Sequence, residues 1–169
     1  MVMSILMSIL ICLNLGSFTT QTPKVLFHIE RNLNKNIVVY EANFDSQGNL
    51  DKKHPIKVYW ILKEKNNKQE SLNYMERKMA YGIKCTPKKE ENNTYKVRLV
   101  ADDSRQFTLK QLAPYKAAIY TYINKKKCQL KQMFIQADNK AFLPKVKFIE
   151  LKGINNTIKD ELERYFPKK

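Results

Sequence analysis

Apolar and polar residues alternate with a period of two along most of this chain, which is the mark of half-buried β-strands. Residues 24–31 place Val25, Phe27 and Ile29 on one face. Residues 36–45 place Val38, Tyr40, Ala42 and Phe44 inward, with Ile37, Val39, Glu41 and Asn43 opposite. The asparagine-rich stretch between them is turn material, so the two strands predict a hairpin. Further strands are predicted over 56–63, 95–101, 106–112, 115–123, 127–137 and 144–152, with a short one at 83–86 stopped by Pro87. Strands 115–123 and 127–137 read as a hairpin around residues 124–126.

Two segments break the alternation. In residues 71–84, Leu72, Met75, Met79 and Ile83 recur at i, i+3, i+7 and i+11, which predicts a helix with Ser71 as N-cap and Gly82 as its stop. In residues 155–166, Ile158, Leu162, Tyr165 and Phe166 predict a C-terminal helix capped by Asn156 or Thr157 and closed by Pro167. The expected fold is therefore mainly β. It is an antiparallel meander, barrel or sandwich, of about nine strands with one inserted helix and a C-terminal helix.

A few polar residues fall on apolar faces. Arg31 follows the inward parity of Val25, Phe27 and Ile29, and Glu41 and Asn43 share a face with Ile37 and Val39. Glu76 sits on the stripe of the predicted helix beside Arg77, and Glu150 shares the parity of Val146 and Phe148. A buried charge must be paired or it costs several kcal/mol. The pattern predicts an internal network with Arg31 or Arg77 facing Glu41, Glu76 or Glu150. Three readings follow: a salt bridge that fixes the helix, a polar pocket that orients an anionic or amphipathic ligand, or plain exposure.

Charge and composition add a compartment. The first 23 residues carry no Lys, Arg, Asp or Glu, and residues 1–16 are an apolar run of signal-peptide length. Residues 1–20 are read as a signal peptide, with cleavage between 17 and 21, and residues 24–169 as a single β-rich domain. The run is short for a membrane span, which needs roughly 20 apolar residues. Export to the periplasm or the outside is the expectation. The formal net charge is +15, and only five of the 31 basic residues are arginine. Lysine is a solvated point charge rather than a bidentate fork. The surface therefore suits acidic envelope polymers or anionic lipid better than nucleic acid.

Catalytic patterns are missing. There is no G-x-S-x-G, no C-x-x-C, no glycine-rich phosphate loop, and His28 and His54 are isolated. No catalytic residue, metal ligand or cofactor is assigned. After the leader, Cys85 and Cys128 remain, and sequence leaves open whether they pair. Tyr120 and Tyr122 beside residues 125–127 place aromatic rings next to cations, which suits either cross-strand packing or ligand stacking.

The strings Phe27-His-Ile-Glu-Arg-Asn, Asn36-Ile-Val-Val-Tyr-Glu-Ala-Asn, Pro55-Ile-Lys-Val-Tyr-Trp, Glu76-Arg-Lys-Met-Ala-Tyr-Gly and Pro144-Lys-Val-Lys-Phe-Ile-Glu-Leu-Lys-Gly occur in this order. Together they resemble the family called domain of unknown function 4833, over roughly residues 26–153. The resemblance implies an exported single domain and brings no catalytic residues. The function expected first is non-enzymatic binding of an apolar or amphipathic ligand in a β-lined cavity. An envelope interaction protein contacting acidic partners comes second, and a hydrolase last.

Overall fold

The computed structural model describes residues 24–138 and 145–167. The expected leader lies outside the described residues, as does the start of the strand expected at 144. Eleven strands are present among the described residues: β1 (Val25–Arg31), β2 (Asn34–Ala42), β3 (Ile56–Leu62), β4 (Lys68–Ser71), β5 (Ile83–Pro87), β6 (Thr94–Leu99), β7 (Phe107–Ala113), β8 (Lys116–Ile123), β9 (Lys126–Asp138), β10 (Lys145–Asn155) and β11 (Asp160–Tyr165). They form one curled sheet in the order β4-β3-β2-β1-β9-β8-β7-β6-β5, with β10 and then β11 branching from β9.

The predicted strands form where alternation is clean. Asn124 and Lys125 both take left-handed backbone angles (φ 50 and 63), the geometry that matches the twist of a two-residue hairpin between β8 and β9. Pro87 is tolerated because β5 is an edge strand, where a missing N–H costs no ladder bond. The meander is broken at one place. β1 pairs with β9 in parallel, His28 to Arg31 against Gln132 to Ile135. Local alternation carries no information about that long-range partner.

Inward residues of the two arms meet in one core. Phe27 on β1 stacks on Tyr40 of β2 at 4.2 Å between ring centres, and on Phe107 of β7 at 6.3 Å. β1 and β7 are not neighbours in the sheet, so this contact spans its concave side. Leu109, Ile119, Leu130, Met133 and Leu151 fill the space around them and are fully buried. Each such side chain contributes roughly 1.5–3 kcal/mol of burial. The sheet is a half-barrel whose interior is occupied by side chains rather than by an open β-lined cavity.

Neither expected helix is found. Residues 71–84 make only one wide helical turn, Glu76–Ala80, and Ile83 belongs to β5, opposite Leu99. Met75 and Met79 stay more than half exposed, so no core covers the stripe that predicted the helix. Residues 155–166 fold back as β11 on β10, Ile154↔Asp160 to Ile149↔Tyr165. Half-buried Glu161, Glu163 and Tyr165 alternate there with exposed Asp160, Leu162 and Arg164. The turn is made by Asn155, whose Oδ1 accepts the N–H groups of Thr157 and Lys159, with Ile158 in the left-handed region (φ 59). Pairing with an available strand edge outweighs the propensity of a short helix whose apolar side would face water.

A polar clasp holds this hairpin to the rest. Arg105 pairs with Glu163, and both are about four-fifths buried. Arg105 also donates to the Tyr122 carbonyl at 3.0 Å and lies 4.2 Å above the Tyr165 ring. Glu163 accepts the Asn124 N–H at 2.6 Å, and the Tyr165 hydroxyl donates to Asp102 at 2.7 Å. Burial pushes the Glu163 carboxyl up, but the bonds from Arg105 and Asn124 and the Arg105 charge outweigh it, so its pKa is lowered. Replacing Glu163 by Gln should cost about 1.5–3 kcal/mol at neutral pH, the range for hydrogen bonds to charged groups. A carboxyl with a depressed folded-state pKa stabilises fully above its ordinary range and loses that contribution as pH falls through the depressed value. Urea titrations of wild type and Glu163→Gln should therefore converge in acid. Equal stability at every pH would show that the clasp contributes nothing.

Candidate functional site

β1 carries the inward parity of Phe27 and Ile29 out to Arg31 at the rim of the sheet. There the guanidinium carbon lies 5.3 Å from the ring centre of Trp60 and 5.3 Å from that of Tyr81. The two rings meet edge to face at 5.2 Å. Cation–π contact of this kind is worth roughly 0.5–2 kcal/mol, and it holds the flat group without consuming its donors. Arg31 Nε is buried and has no hydrogen-bond partner. Among the described residues no carboxylate lies within 4.0 Å of the Arg31 nitrogens in an ion pair. The guanidinium opens on a cleft of about 250 Å³ whose other polar walls are Asn34, Asn36, Glu70, Ser71, Asn73 and Glu76.

Trp60 is placed by β3, between Val38 of β2 and Glu70 of β4. Tyr81 is placed by the strap that runs from Leu72 to Gly82. Asn73 and Glu76 open the strap's turn with a reciprocal cap: each side chain accepts the other's backbone N–H at 2.9 Å. The Tyr81 N–H closes the turn on the Glu76 carbonyl at 2.7 Å. The buried Tyr40 hydroxyl donates to the Tyr81 carbonyl at 2.8 Å, which ties the strap to the core. Burial raises the pKa of the Tyr81 hydroxyl; the Arg31 charge opposes that rise and the Glu76 charge adds to it. Both charges therefore act on one phenol.

The six predicted polar residues do not form one network. Arg31 and Glu76 share this cleft. Arg77 is exposed, and its Nε donates to the Leu72 carbonyl at 3.0 Å. Glu41 accepts the Tyr59 hydroxyl at 2.7 Å, and burial together with this bond raises the Tyr59 pKa. Asn43 fastens a loop, donating to the His54 carbonyl at 2.8 Å. Glu150 is paired with Arg164, at 2.6 and 3.0 Å. Sequence reasoning did not single out Asn34, Glu70, Asn73 or Tyr81 as site residues. The available signal was Trp60, which has the same inward parity on β3 as Arg31 has on β1.

Cys85 and Cys128 are separate free thiols, and burial pushes Cys85 up to about 11, so neither is a ready nucleophile. His28 meets only Glu30 at 3.0 Å, away from the cleft.

The fold is that of a mainly β domain built on one curled mixed sheet, with a rim cleft spanned by a strap. The chain belongs to the family of the domain of unknown function DUF4833, whose model matches residues 27–164. No curated protein and no solved structure matches the chain at a significant level. Four of the five strings that carry the family resemblance supply residues to this rim: Arg31, Asn36, Trp60, and Glu76 with Tyr81.

Gly82 is a steric requirement of the strap. A Cβ there would lie 1.7 Å from the Arg77 carbonyl oxygen. Gly82→Ala must therefore open the turn, at a cost of about 1–3 kcal/mol, as for other forced overpacking. Trypsin should then cut faster after Arg77 and Lys78 than in wild type. An unchanged digestion rate and an unchanged urea midpoint would contradict this account of the strap.

Proposed function

We propose that the domain is a non-enzymatic binding module, and that the Arg31 cleft is where it holds a small amphipathic ligand. One observation carries the reading: Arg31 is half-buried against two rings, its Nε is buried without a hydrogen-bond partner, and among the described residues it has no carboxylate partner. A charged group taken out of water is favourable only with a counter-charge or several hydrogen bonds. An acid group on the ligand supplies both, because the guanidinium fork matches a carboxylate or phosphate in two parallel bonds. Glu70, Glu76 and the asparagines offer acceptors and donors to hydroxyl or amino groups on the same ligand. The fixed position of the guanidinium lowers the ordering cost of binding. Nothing in the cleft suggests a nucleophile activated by a base, which favours binding over hydrolysis.

Native mass spectrometry of the protein purified from its own host tests this. Wild type should carry a retained small molecule, and Arg31→Met, still folded by circular dichroism, should lose it. A clean apo mass for wild type, or the same adduct on the variant, defeats the proposal. Export is the second part of the reading and rests on the uncharged run 1–16. N-terminal sequencing of the native protein should find a start between residues 18 and 22, whereas an intact Met1 would contradict it.

A further inference from the structure

The curled sheet does not close, and the seam it leaves has a distinct chemistry. β4 pairs with β3 only from Tyr59 to Leu62. The outer edge of β3 at Ile56, Lys57 and Val58 has no neighbouring strand among the described residues. The strand at the other end of the sheet path is β5, and its first residue, Ile83, lines the same cleft as those three residues. This cleft has a volume of about 530 Å³ and shares Ser71, at the end of β4, with the Arg31 cleft.

Its charged lining is of one sign: Lys57 and Arg77 are its cations. His54, Lys57 and Arg77 face it together with the donors Gln69 and Ser71, and no Asp or Glu is among the lining residues. Two carboxylates neighbour these residues without lining the cleft, and Glu41 lies opposite Lys57 in the β2–β3 ladder. Glu41 holds the Tyr59 hydroxyl, and Asp51 accepts the backbone N–H groups of Lys53 and His54. Arg77 uses Nε to hold the strap, through the Leu72 carbonyl, and that bond does not involve its two terminal nitrogens.

We propose that this seam is a second binding site, which takes an extended acidic peptide segment as an added strand beside β3. Two features, independent of each other, ask for the same occupant. An unpaired strand edge offers backbone donors and acceptors at the spacing of a partner strand. A lining that carries Lys57 and Arg77 and no carboxylate selects acidic residues. Three edge residues span about 10 Å, so the paired part of the ligand is three or four residues long. In a strand, side chains alternate between faces, so acidic residues at every second position all reach the same side. The site does not depend on the Arg31 cleft being occupied.

The test is fluorescence anisotropy with a labelled Thr-Glu-Val-Glu-Thr peptide at physiological ionic strength. Lys57→Ala with Arg77→Ala should weaken binding by about tenfold or more, the usual scale for losing close charge pairs. Lys89→Ala with Lys116→Ala removes the same net charge elsewhere and should change affinity less than about twofold. Lys57→Glu, at an exposed strand position outside the strap, should reproduce the loss without disturbing Arg77. Replacing the peptide's central Val by Pro removes an edge hydrogen bond and should also weaken binding. Arg31→Met should bind the peptide as wild type does, which separates this site from the rim cleft. The proposal is overturned by absent binding to wild type, by equal losses in the two double variants, or by a proline peptide that binds as tightly.

Discussion

Strand β9 has two edges and three partners, and the architecture follows from how it shares them. β10 runs along one edge for nearly its whole length. On the other edge β8 takes the first residues, up to Gln129, and β1 takes Gln132 to Ile135. The changeover falls where the register with β10 slips, Leu130 facing Gly153 and Gln132 facing Lys152, so Lys131 is an extra residue in the ladder. Such a bulge bends its strand and increases its twist. The two arms of the sheet, β1 to β4 and β8 to β5, thus leave β9 at different angles and curl over one interior. Gly153 fits this junction because a Cβ there would lie 2.7 Å from the Gln129 carbonyl and 2.8 Å from Ile123 Cδ1. Partial desolvation lowers the pKa of the Lys131 amine.

The rim cleft takes its rigidity from the core. Tyr40 is fully buried, stacks on Phe27 through its ring and holds the Tyr81 carbonyl through its hydroxyl. Burial raises its pKa well above the ordinary tyrosine range, with the nearby Tyr81 adding to the shift, so the hydroxyl stays a donor. Trp60 and Tyr81 are both nearly buried and still face Arg31. The wall that positions the cation is thus continuous with the packing that makes the sheet fold. Arg31 remains at the surface end of that wall because β1 stops there and turns through Asn32 and Leu33 into β2.

Most of the strands were legible because each has a wet side and a dry side, and alternation reports that directly. Residues 25–31 and 56–62 are read from sequence almost to the residue. The helix over 71–84 failed because its periodicity came from Met75 and Met79, which are apolar but exposed, while Leu72 and Tyr81 are buried and Ala80 and Ile83 pack against the core. The C-terminal segment failed because Ile158, Leu162, Tyr165 and Phe166 look like a helical face, whereas of these Tyr165 alone, together with Glu161 and Glu163, meets the protein. Arg31 and Glu76 were legible as charges out of place. Their surroundings were not, because the parallel partner of β1 and the return of the strap over Trp60 are long-range events that no local window contains.

The contact between β1 and β9 also sets an order of events. Asn32 and Ala137 are 105 residues apart and exchange two hydrogen bonds, at 3.0 and 2.9 Å, to seal it. A chain synthesised at roughly 5–20 residues per second makes the first hairpin about 5–20 s before the strand that will lie beside it. During that interval one edge of β1 is an unpaired template in a partly made protein. Non-local pairing of this kind slows folding. The first strand is thus the part most in need of a companion until β9 has been made.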